Sequence, residues 1–89
     1  WVIDVVCKHF NKTIDQIAKK YRSRELVIIR QYLFYFLFKY TEMNKSQIGA
    51  MFNKDHTTVL YSLRSIENLR KVYPEMEMEI QILDNKINS

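Results

Sequence analysis

One cysteine, one glycine and one proline are all that this 89-residue chain contains of those types, and each scarcity removes a class of structure. A lone Cys7 excludes an intramolecular disulfide and makes a reducing cytoplasm the expected home. Gly49 and Pro74 alone supply too little turn chemistry for an all-β fold, so helices with short connections are expected. Long apolar runs are missing too. The longest, residues 32–38, is far below the roughly 20 residues a bilayer-spanning helix needs. No signal-peptide pattern opens the chain, and no membrane is expected as a partner. The first residue is Trp1 rather than Met, which fits a fragment or excised domain.

What is present suffices for a core. Apolar residues make up 47% of the chain, enough to exclude disorder and to build one domain over residues 1–89. Charge is distributed unevenly. Residues 1–71 hold 13 of the 14 Lys and Arg and 6 of the 10 Asp and Glu, a net +7, whereas residues 72–89 set Lys86 alone against four acids, a net −3. A basic body with an acidic tail points to a polyanionic partner for the body.

The apolar spacing predicts six helices. Val2, Ile3, Val6 and Phe10 mark a first helix ending around residues 9–11. Thr13 with Gln16 is a capping-box pair for a short second helix carrying Ile14, Ile17 and Ala18. A basic connection follows, with Ser23 as the expected N-cap of a long third helix over 24–40 and Glu25 complementing its dipole. That helix is apolar nearly all round, which makes it the centre of a bundle. Asn44 and Gln47 repeat the cap pattern before Ile48, Met51 and Phe52. Val59, Leu63, Ile66, Leu69 and Tyr73 then hold a helical stripe that Pro74 ends. A last helix over about 75–87 turns Met76, Ile80 and Leu83 inward. Leu33, Phe34, Leu37 and Phe38 are expected in the core. Tyr32, Tyr35, Phe36 and Tyr40 exceed what so small a bundle should hold, so some are expected near the surface, offering weak self-association or a contact with a neighbouring domain.

Function concentrates in residues 48–59. One apolar turn leads through the corner Phe52-Asn53-Lys54 to a helix that opens Asp55-His56-Thr57-Thr58. A helix start built of small hydrogen-bonding side chains is free for a partner, and this is the layout of a helix-turn-helix, which reads the major groove with the N-terminal residues of its second helix. His56 and Thr57 suit base edges, since Thr offers a hydroxyl and a methyl. Thr58 serves either a base or a phosphate. Asp55 serves either as helix cap or as acceptor for cytosine. Lys45, Ser46 and Lys54 flank the motif and suit backbone anchoring. Catalysis is not expected: neighbouring residues on one helix point about 100° apart and form no acid–base relay. Cys7 and His9 are only two ligands, which do not make a zinc site, and no metal is expected.

These residues resemble one family. Arg22-Ser23-Arg24-Glu25-Leu26-Val27, Arg30-Gln31, Ile48-Gly49 and Lys54-Asp55-His56-Thr57-Thr58-Val59-Leu60 resemble the C-terminal DNA-binding domain of the bacterial replication initiator DnaA, over essentially the whole chain. The resemblance implies an all-α six-helix bundle that binds double-stranded DNA at DnaA-box-like origin sites, in the cytoplasm at the nucleoid. It implies Asp55 near the bases, Arg22 in the minor groove, and Arg30 and Gln31 against the DNA, Gln31 at a phosphate. The departures are a corner written Asn53-Lys54 where the family usually has Gly-Gly-Arg, Ser65 where Lys is common, and Tyr32, Phe34, Tyr35 and Phe36 in place of small residues. The shorter corner is expected to alter the preferred target. No phosphate-binding Gly-x-x-x-x-Gly-Lys loop occurs, so no cofactor is expected in this domain, and a nucleotide-binding module lies upstream or is absent. Two other readings remain open at this level: a stand-alone regulator or phage or plasmid protein with the same domain, and a helical protein-interaction module using the aromatic third helix.

Overall fold

The computed structural model describes residues 1–18 and 23–89. Among them are six helices: α1 (Val2–Phe10), α2 (Ile14–Ala18), α3 (Arg24–Tyr40), α4 (Lys45–Met51), α5 (His56–Val72) and α6 (Pro74–Asn88). Local chemistry accounts for most of their ends. Asn11 closes α1 in the left-handed conformation, at φ 55°, which Asn tolerates better than most residues. Thr13 and Gln16 exchange hydrogen bonds between each side chain and the other's backbone N–H. Asn44 and Gln47 do the same at 2.8 Å each, a complete capping box. Pro74 occupies the first turn of α6, where its missing N–H costs nothing. Ser23 stands at the N-cap of α3 as expected, but its side chain makes no capping bond.

Helix α3 is the hub, packed by α1, α2, α4 and α5, while α6 closes against α1 and α5. Six consecutive α3 residues, 32–37, are buried. At 100° per residue they cover every side of the helix, so it must be surrounded. This corrects the expectation for the aromatic segment. Tyr32 and Phe36 are inside, at 4% and 0% exposure, and Tyr35 is at 9%. Each ring has a specific neighbour: Tyr32 stacks on Phe10, Phe36 on the half-buried Tyr40, and Phe34 meets Phe52 edge-on. Tyr32, Tyr35 and Phe36 are therefore not exposed for self-association, while Tyr40, the fourth ring of that expectation, is half-buried. Phe38, expected in the core, is 42% exposed. It lies past the last buried turn of α3, and the Lys45 ammonium sits 4.8 Å above its ring.

Polar ties fasten the periphery. Arg70 of α5 donates to Glu77 at 2.6 and 3.0 Å and to the Tyr35 hydroxyl at 2.8 Å. That hydrogen bond to Glu77 is the main cause of a raised Arg70 pKa. Tyr40 and Lys39 both donate to Asp84, and His9 lies between Glu79 and Lys86. The stripe on α5 runs through Val59, Ser62 and Ile66. Leu63 packs against the core from the side, and Tyr73, expected inside, is 46% exposed: it stands in extended conformation between α5 and α6, outside the helical stripe.

Candidate nucleic-acid interface

The α4–corner–α5 unit is built on a close backbone approach. A Cβ on Gly49 would lie 2.5 Å from the Lys54 carbonyl oxygen, so only glycine allows α4 to meet the start of α5 this tightly. The Gly49 carbonyl accepts from Phe52 N–H at 3.0 Å and Lys54 N–H at 2.8 Å, which closes α4 and turns the chain. Asn53 takes φ 55° in the middle of the corner. The left-handed position that a glycine would fill is thus supplied by Asn, one of the few side chains suited to it.

Asp55 then caps α5, its Oδ1 accepting the Thr57 N–H at 3.4 Å. The same Oδ1 lies 2.9 Å from His56 Nδ1. The two side chains meet because Asp55 is extended at φ −73°, ψ 153° and stands outside the helical periodicity. Thr57 contributes only its backbone N–H to Asp55, so the three side chains form no acid–base–hydroxyl relay. Val59 is fully buried and anchors the first turn, leaving Asp55, His56 and Thr58 exposed and Thr57 half-exposed at the tip.

Tertiary packing brings α3 to this tip. A cleft of about 380 Å³ opens between the two helices, lined by Arg30 and Gln31 from α3 and Thr58, Tyr61, Ser62 and Ser65 from α5. Ser65 donates to Gln31 Oε1 at 3.4 Å. Arg30 Nε donates to the Ile17 carbonyl at 2.9 Å, which ties α2 to α3, and the residue also lines the cleft. Partial burial lowers the Arg30 pKa from its ordinary value, yet a guanidinium stays charged at any physiological pH. Val27 and Phe34 complete the lining, so the cleft has a largely apolar floor with Arg30, Gln31 and Thr58 as polar groups around it; a guanidinium beside hydroxyl and amide groups suits an oxyanion such as a phosphate.

The remaining sequence candidates divide. Lys54 is half-buried in the corner beside Asp55 and makes no ion pair among the described residues. Lys45 and Ser46 open α4, but Lys45 is drawn to Phe38, eight residues along α3 from Arg30 and so about 12 Å away along its axis. Arg22 lies outside the described residues. Tyr61, 62% exposed, is a cleft residue that the linear motif does not single out; its spacing of four from Thr57 is the signal that reveals it. Among the described residues no group of three or more His, Cys, Asp or Glu could hold a metal. Burial, and then Asp4, raise the Cys7 thiol pKa.

A tight α4–α5 corner, an exposed polar helix tip and a flanking basic cleft define a helix-turn-helix module. The family model described as the bacterial dnaA protein helix-turn-helix matches residues 1–66. Similar proteins include the chromosomal replication initiator protein DnaA of Bacteroides thetaiotaomicron, 35% identical over 85 residues, and that of Lachnoclostridium phytofermentans, 35% identical over 88 residues. The DnaA of Crocosphaera subtropica is 33% identical over 88 residues. These alignments cover 94% to 98% of this chain but only 18% to 19% of the relatives. The chain belongs to the bacterial DnaA helix-turn-helix family, and it spans about a fifth of the length of the curated relatives it matches.

Proposed function

We propose that this chain is a DnaA-type DNA-binding domain that recognises DnaA-box-like sites in double-stranded DNA during replication initiation. The observation that carries the reading is that Thr58, from the exposed tip of α5, lines one cleft with Arg30 and Gln31 of α3, residues 27 or 28 apart in sequence. In this reading His56 and Thr57 enter the major groove and touch base edges, with Thr58 at a base or the adjoining phosphate. Asp55 holds His56 in place and presents its second carboxylate oxygen to a cytosine amino group. The cleft of Arg30 and Gln31 takes a backbone phosphate, Lys45, Ser46 and Lys54 add further backbone contacts, and Arg22 enters the neighbouring minor groove.

The domain binds and does not catalyse, and it needs no cofactor of its own. A nucleotide-binding module belongs upstream in the full-length protein, which works in the cytoplasm at the nucleoid. The test compares two substitutions on a duplex obtained by selection from random sequences and on a scrambled one. Thr57→Ala should cost roughly 1–3 kcal/mol on the selected duplex only, and Lys54→Ala should weaken both alike. Equal losses on both duplexes for Thr57→Ala would remove base readout from that residue.

A further inference from the structure

The acidic tail is not a free negative surface. Glu77 is spent on Arg70, Glu79 on His9, and Asp84 on Lys39 and Tyr40, so three of the four acids of α6 are engaged at the back of the bundle, two of them by cations. Glu75 alone is exposed without an ion pair among the described residues. The outer face of α5 is treated differently. Among the described residues Arg64 and Lys71 are exposed and make no ion pair or hydrogen bond. Thr57, Tyr61, Arg64 and Lys71 recur at intervals of four, three and seven residues, which places them on one face of α5, opposite the buried stripe of Val59, Ser62 and Ile66. The cations Arg64 and Lys71 thus continue the face begun by the uncharged Thr57 and Tyr61, and stand seven residues apart, about 10.5 Å at 1.5 Å per residue.

We propose that Arg64 and Lys71 extend the DNA footprint beyond the helix-turn-helix by neutralising phosphates that flank the recognised site. The inference rests on the DNA-binding reading above and deepens it. The competing role for Lys71 is to complement the C-terminal dipole of α5, but Arg70 already stands in that last turn, and Arg64, two turns earlier, has no such task. Neither side chain is held by a partner, so both are available to neutralise phosphates and release the counterions condensed on them.

The experiment measures affinity against salt for the wild-type chain and for R64A/K71A, with Lys8→Ala, whose ammonium is paired to Asp4 on α1, as the control. Each phosphate contact contributes about 0.9 to the slope of log affinity against log salt. R64A/K71A should lower that slope by about 1.8, so that between 50 and 200 mM salt it loses about twelvefold less affinity than the wild type. The ratio between selected and scrambled duplexes should stay unchanged, and Lys8→Ala should leave the slope as it is. On a duplex trimmed to the recognised site the variant and the wild type should converge. An unchanged slope on long duplexes overturns the proposal, and so does an altered ratio between duplexes, which would mean base contact. A wild-type chain that binds no duplex overturns the DNA-binding reading itself.

Discussion

Gly49 and Lys54 touch backbone to backbone: the Gly49 carbonyl accepts the Lys54 N–H at 2.8 Å, and the Lys54 carbonyl stands 2.5 Å from where a Gly49 Cβ would be. Ordinarily alanine stabilises a helix over glycine by about 1 kcal/mol. Here the added methyl must displace backbone, and overpacking of this kind costs about 1–3 kcal/mol. Gly49→Ala should therefore lower the melting temperature and, by moving the start of α5, reduce site-specific binding. A melting temperature above that of the wild type would show that the two segments are not in close contact.

Asp55 separates two roles by chemistry. Asparagine caps a helix as well as aspartate, whereas alanine costs about 1 kcal/mol. Asp55→Asn should match the wild type in thermal unfolding and still lose about tenfold in affinity for the selected duplex, since the carboxylate that holds His56 at 2.9 Å is gone. Asp55→Ala should lose both stability and affinity. Undiminished binding by Asp55→Asn would leave this residue as a cap alone.

Acid should loosen α6. The hydrogen bond from Arg70, followed by that from Gln81, holds the Glu77 carboxyl below its usual value. A carboxylate whose pKa is lower folded than unfolded contributes stability above the unfolded value, about 4.3, and loses it as pH falls through the lower folded value. Glu77→Gln should therefore melt below the wild type near neutral pH, and the gap should close as pH drops below about 4. Melting curves followed by circular dichroism from pH 7 to pH 2.5 check this; a gap of constant size would mean the ion pair contributes nothing.

Much of this molecule was legible in one dimension. Thr13–Gln16, Asn44–Gln47 and Asp55 close hydrogen bonds over two or three residues, and Pro74 acts through its own ring, so the helix ends they set needed no knowledge of the fold. The motif around His56 and Thr57 was legible for the same reason, since a cap and the turn after it are local. The aromatic segment was not. Tyr32, Tyr35 and Phe36 went inside and Phe38 outside, against expectation, because a helix apolar on every side carries no signal of its own orientation. Only the helices packed around α3 decide which ring is covered.

The same division holds for function. Residue order along the chain defined a helix-turn-helix, its corner and its exposed tip, because these depend on contacts between near neighbours. Tertiary packing alone placed Arg30 and Gln31 beside Thr58, let Arg30 fasten α2, added Tyr61 to the cleft, and engaged three of the four acids of α6 at the back of the bundle while the outer edge of α5 keeps its charge. Those relationships join helices distant in sequence, and no local pattern records which of their faces meet.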